Sequence, residues 1–398
     1  MLKISDPSKP KKAIKQPIAF LEFAFRPFFL FASIFSIVSL LIWNGIMTGN
    51  FSIDLYGGSL WWHIHEMLFA FAATVIVGFL LTAVQNWTGL RSLHGKWLGI
   101  LFIIWLLARI AMFLPQTLPN SLIMVLDIAF LPLAAIALAQ LIIKAKLWRN
   151  LMFIPILLAM SVTNAFLHYA AVNYDSTLMT NASTFMVLLI TLVMCIMGGR
   201  VFPMFTANGT QTPRVNAIPL LEKCSIASIL LAVIAGSGVL NLPATIISIL
   251  FFSAALIHGY RVYRWKFSVT LKTPLVWSLH ISYWCIVLGL LMFGLSKITT
   301  LVTHSQAIHT LTVGAMATMI LSMISRVSLG HTGRMIVVGK TMTIAFFAII
   351  FAFLTRVFGN YFIANYGDVL SLTVLFWVIG FGLFIIVYTP ILLKPRAQ

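Results

Sequence analysis

The chain has 398 residues, 61% of them hydrophobic and only 9% charged, with a formal net charge of +18. A soluble domain carries roughly 45–50% apolar and about 25% charged residues, so this composition excludes a water-soluble enzyme, a disordered chain and a secreted disulfide scaffold. The basic excess belongs to cytoplasmic loops and gives no nucleic-acid partner, because no basic stripe carries interleaved aromatics on a polar surface.

A helix needs about 20 apolar residues to cross the hydrocarbon layer. That ruler places spans over 27–47, 62–84, 97–114, 121–143, 151–172 and 180–199. Six more follow over 223–241, 244–260, 274–295, 304–325, 341–358 and 369–391. The fold class is all-α, a polytopic membrane protein with 12 transmembrane helices. Residues 1–26 read as a basic cytoplasmic leader carrying Lys3, Lys9, Lys11, Lys12 and Lys15, with no small-residue cleavage site behind them. Residues 27–392 form a single transmembrane domain, and 393–398 a cytoplasmic tail. With both termini inside, all 26 lysines and arginines except Lys297, Arg109 and Arg356 fall on the inner side. Asp54, Asp175 and Asp368 fall outside, the sorting that the positive-inside rule requires. Cys195, Cys224 and Cys285 form no C-x-x-C and give no disulfide framework or zinc knuckle.

An internal repeat runs through the spans. The second reads His65-Glu66-Met67 and reaches Thr88-Gly89; the tenth reads His309-Thr310-Leu311 and reaches Thr332-Gly333. Each Gly lies 24 residues after its His, and the histidines are 244 apart. Arg109 and Arg356, 247 apart, fit the same period. Span six, with Gly198-Gly199-Arg200, is a degenerate copy without a histidine, so the chain divides into three four-helix pseudo-repeats.

Ionisable residues inside a membrane are functional candidates by default. Five of the nine histidines lie toward the outer face: His63, His65, His168, His304 and His309. His280 lies near mid-depth, and His258 and His331 at the inner surface as loop and helix-end residues. Two imidazoles at similar depth on repeat-related helices are what a haem needs on its two faces. The expected pairing is therefore His65 with His309 around a b-type haem, because no C-x-x-C-H string exists to attach haem covalently. In the competing pairing His63 or His304 replaces one of them. His63 and His65 stand two residues apart and project to nearly opposite sides of a helix, so they serve different partners.

Arg109 and Arg356 offer bidentate forks to the haem propionates. Glu66 can orient an imidazole through its second nitrogen, and Asp127 reads as a polar helix contact. His63, His168 and His280 are left over once one haem is ligated and remain candidate ligands for a second haem or a metal ion. The methionines around Cys195 (Met194, Met197, Met204) suit a soft cuprous ion but fit packing better. No nucleophile elbow, P-loop or dinucleotide fingerprint is present.

Several strings together resemble the NnrS family of bacterial membrane proteins: Phe25-Arg26-Pro27-Phe28-Phe29, Trp62-His63-Ile64-His65-Glu66-Met67, Asn86-Trp87-Thr88-Gly89 and Gly330-His331-Thr332-Gly333-Arg334. Leu279-His280-Ile281-Ser282-Tyr283 and Leu311-Thr312-Val313-Gly314-Ala315 add to the likeness, which runs from about residue 20 to 390. The resemblance implies a bacterial inner-membrane protein that contains haem and copper and takes part in the nitric oxide response and nitrosative-stress protection. Nitric oxide and quinol are the partners it implies. A fainter likeness to the haem–copper oxidases stops short of their reaction centre, because span ten has no H-x-H and span six no histidine. Two other classes share the composition: a twelve-helix secondary transporter, and a haem-binding sensor or assembly protein without turnover.

Overall fold

The computed structural model describes residues 18–397, which are helical with no strand among them; the leader lysines Lys3 to Lys15 lie outside the described residues. Twelve long helices follow one another: α1 (Phe25–Met47), α2 (Ser59–Thr88), α3 (Gly95–Ala111), α4 (Asn120–Lys144), α5 (Phe153–Asn173) and α6 (Ser176–Thr210). The second half comprises α7 (Pro219–Gly236), α8 (Ala244–Tyr263), α9 (Pro274–Ile298), α10 (His304–His331), α11 (Lys340–Phe358) and α12 (Tyr366–Leu393). Eleven of them are long and apolar enough to cross a membrane, and α3 falls just short at 17 residues. The chain is a multi-pass membrane protein. Outer helices present apolar side chains where lipid would lie, as Ile103 and Leu107 do on α3.

Burial sorts the helices into two shells. In the most apolar stretch of α2, 89% of positions are inside the protein, and 78% in each of α6 and α10. All other spans but α9 bury 50% or less. The second helix of each four-helix unit is therefore an inner helix: α2 and α10 both touch α6, and the outer helices close into a ring where α1 packs on α12. Close approach needs small residues, as at Gly314 on α10, where an added Cβ would lie 2.8 Å from Phe353 of α11.

The repeat extends to local geometry. Immediately after His65, α2 widens into a π-helical stretch over Glu66–Ala73; immediately after His309, α10 does the same over Thr310–Ala317. The two stretches have equal length and are offset by the same 244 residues as the histidines. A π-helical turn inserts extra backbone into the i→i+4 ladder and re-aims the faces on either side of it. These inner spans are thus less regular than apolar runs alone predict. At the far ends Gly89 (φ +68) and Gly333 (φ +73) both take left-handed conformations, where a side chain would be strained, so the repeated Thr-Gly pairs are helix-end signals.

The start of α10 is fixed by a reciprocal cap: Thr303 accepts from the backbone N–H of Gln306, and the Gln306 side chain accepts from that of Thr303. Thr303→Ala should cost about 1 kcal/mol in denaturant unfolding of the micellar protein. At the opposite end, buried Arg26 donates to the carbonyls of Leu392 (3.0 Å) and Lys394 (2.5 Å), and the Ala397 N–H to that of Thr332 (2.9 Å). The last residues are thereby tied to α1 and α10.

Candidate functional site

Two groups of polar residues gather at one end of the bundle, on opposite sides of the first turns of α2. Side chains two residues apart on a helix diverge by about 200°. His63 therefore faces a cavity bounded by α1, α6, α10, α11 and α12, and His65 faces α3, α4 and α5.

The His65 group is sealed. The imidazole is sandwiched between Trp61 and Phe69, with ring centroids 4.6 and 4.9 Å away. Its Nδ1 is 2.9 Å from Oε1 of Glu66, and its Nε2 lies 3.0 Å from Oδ2 of Asp127 and 2.9 Å from Oδ1 of Asn164. The Asn164 amide donates to the same Asp127 oxygen at 2.6 Å, and His168 Nε2 lies 3.1 Å from it. His168 Nδ1 meets the Tyr56 hydroxyl at 3.2 Å. Arg109 donates to Glu66 Oε1 at 2.7 Å and also grips the other oxygen of Asp127. All of these ionisable side chains are buried, with exposures between 0% and 4%.

Arg109 is thus committed to two carboxylates and has no fork free for a propionate, contrary to the expectation from sequence. Glu66 does meet an imidazole nitrogen, that of its neighbour His65. Asp127, read from sequence as a helix contact, is the hub of the cluster. Asn164 and Tyr56 carried no sequence signal by themselves. The available signal was spacing, since Asn164 and His168 are four apart and share one face of α5.

The second group lines a cavity of about 390 Å³. His63, His304 and His309 stand on its walls with Arg356, and the remaining surface is mostly apolar, including Trp43, Phe71, Met316 and Trp377. The His63 ring stacks on Trp43 at 4.6 Å with an interplanar angle of 10°, and its buried Nδ1 has no hydrogen-bond partner among the described residues. His309 donates from Nδ1 to the Ser305 carbonyl at 2.7 Å, which leaves Nε2 as a lone pair. His304 points Nε2 toward Thr184 at 3.3 Å. Arg356 stacks over the Tyr366 ring at 5.4 Å and makes no ion pair among the described residues.

The structure does not bring His65 and His309 together. It places His63 with His309, and His65 with His168. His280 belongs to neither group: its Nε2 pairs with Thr206 Oγ1 at 2.8 Å, beside Phe202 and Trp265. His258 is a buried residue of α8, bonded to the Tyr283 hydroxyl (2.7 Å) and the Ser225 carbonyl (3.1 Å) beside the Arg261–Glu222 pair. That network ties α7, α8 and α9 together and replaces the loop position expected for His258.

No curated protein is similar to this chain at a significant level. The family model described as NnrS protein matches residues 19–396, nearly the whole length. The chain therefore belongs to the NnrS family.

Proposed function

We propose that this protein is a haem-containing inner-membrane protein of the nitric oxide response, with the haem held between His63 and His309 in the cavity beside α2 and α10. Family membership supports the nitric oxide link and the haem. The observation that carries the placement is the cavity itself: apolar walls, three histidines and one arginine without a carboxylate partner among the described residues.

The residues present fit the group. A haem ligand must be a neutral imidazole with a bare nitrogen, and the Ser305 carbonyl fixes His309 in that tautomer. His63 offers a ring held in place by Trp43 and a nitrogen without a partner among the described residues. His304 and His309 are five residues apart and diverge by about 140° on an α-helical turn, so they serve different directions. Arg356 offers the bidentate donor that suits a propionate carboxylate. A bound haem supplies a one-electron couple at this end of the bundle. Nitric oxide is apolar and partitions into lipid, so a cavity bounded by inner and outer helices meets it at enriched concentration.

The purified full-length chain should show a Soret band, a b-type haemochrome and the spectrum of low-spin bis-imidazole iron; absence of any chromophore after expression with ample haem would overturn the reading. Arg356→Leu should keep the low-spin spectrum but weaken haem retention, by about tenfold if its charge-assisted bond contributes 1.5 kcal/mol. Competition with a haem-scavenging apoprotein measures this. Unchanged transfer kinetics would remove Arg356 from the site.

A further inference from the structure

We propose that a transition-metal ion binds in the sealed cluster, held by Nε2 of His65, Nε2 of His168 and Oδ2 of Asp127, with Oδ1 of Asn164 as a fourth donor. The site stands on geometry and is independent of where the haem is held.

Donor and acceptor positions balance only with a positive charge at His65 Nε2, which a proton or a bound metal ion supplies. His65 Nδ1 faces Glu66 Oε1, an acceptor, so the ring proton of a neutral imidazole belongs there. Its Nε2 is then a lone pair directed at two oxygens, Asp127 Oδ2 and Asn164 Oδ1. The Asn164 orientation is not free to reverse, because its amide nitrogen donates to Asp127 Oδ2 at 2.6 Å. Electron-rich atoms 2.9–3.0 Å apart repel unless something positive sits among them. On the other side of the same oxygen, His168 can donate from Nδ1 to the Tyr56 hydroxyl, which bares its Nε2 toward Asp127 as well.

Charge gives the same answer. Glu66 and Asp127 carry two negative charges and Arg109 one positive, all at 4% exposure or less. With both imidazoles neutral the cluster is one positive charge short in a region where an uncompensated charge is costly, and a metal ion competes with a proton on His65 for that place. A cuprous ion closes that deficit, and a cupric ion exceeds it by one.

Spacing permits the ion. Donors bound at about 2.0–2.1 Å in a tetrahedron lie about 3.3 Å from one another. His65 Nε2 and His168 Nε2 lie 3.0 and 3.1 Å from Asp127 Oδ2, and the three donor atoms fall within 4.8 Å of one another. The two distances to Asp127 Oδ2 thus differ from that spacing by only a few tenths of an ångström. A void of about 10 Å³, at the lower limit for one water, borders Asp127, Asn164 and Arg109. Glu66 and Tyr56 are the outer hydrogen-bond partners that fix the tautomers of metal-bound imidazoles. Two imidazoles with a carboxylate suit copper or zinc better than magnesium or calcium.

The test uses the haem-loaded full chain, stripped with a chelator and titrated separately with Cu(I), Cu(II) and Zn(II). Metal per chain is read by elemental analysis, and the cupric form by nitrogen hyperfine structure in paramagnetic resonance. One ion per chain should bind with two-nitrogen coupling. His168→Gln should lose it while keeping full haem content, and Tyr56→Phe should bind about 10–100-fold more weakly. His63→Leu should lose haem and keep the metal, so failure of the haem reading and failure of this one give different results. Wild-type protein that takes up none of these ions, or His65→Gln and His168→Gln variants that retain full stoichiometry and unchanged hyperfine structure, would overturn the proposal.

Discussion

Arg109→Leu should destabilise the folded protein by about 3–5 kcal/mol, read by denaturant titration in micelles. The guanidinium is 4% exposed and holds Glu66 at 2.7 Å while gripping Asp127. Removing it leaves two buried carboxylates whose desolvation is no longer offset. The destabilisation comes mainly from the stranded partners, which gives a sharper expectation. Asp127→Leu alone should also be costly, because it strands Arg109, His65 and His168. The double variant Arg109→Leu/Asp127→Leu should lose less than the two single losses added together, because an apolar pair of similar volume removes both charges at once. Strict additivity would mean that the contacts are energetically idle.

His309→Leu should abolish the low-spin haem signal, whereas His304→Leu should leave it intact. Both histidines line the cavity, but only His309 carries a backbone carbonyl on Nδ1 that fixes its second nitrogen as a lone pair. His304 spends Nε2 on Thr184 and sits at the first position of α10. Optical and paramagnetic resonance spectra of the two purified variants, normalised to protein, decide between them. A full complement of low-spin haem in His309→Leu would exclude it as a ligand.

The architecture was legible because apolar length and charge asymmetry are properties of the chain itself. Every span read from sequence has a helix, and the repeat reappears in the paired π-helical stretches and in Gly89 and Gly333. The facing of the histidines was not legible, and the repeat itself explains why. Residues equivalent under an internal rotation point into equivalent clefts, each closed by the first helix of the next unit, α5 for His65 and α1 for His309. They do not point at each other. His65 is linked through Glu66 to Arg109 of its own unit, and His309 shares its cavity with Arg356 of its own unit. The residue that reaches across from α2 to His309 is then the one on the other face, His63. The i,i+2 spacing announced two different partners, but choosing between them required knowing that Trp61 and Phe69 clamp His65 while Trp43 of α1 stacks on His63. Asp127 and Asn164 were hidden for a similar reason: their importance lies in converging on one point from α4 and α5, and spacing within one helix says nothing of that.

The most direct measurement compares His63→Leu with His65→Leu in the purified full-length chain, reading haem per protein and the low-spin spectrum of each. The account predicts that His63→Leu loses the low-spin haem and that His65→Leu retains it. Low-spin haem retained in His63→Leu and lost in His65→Leu would contradict the placement of the haem.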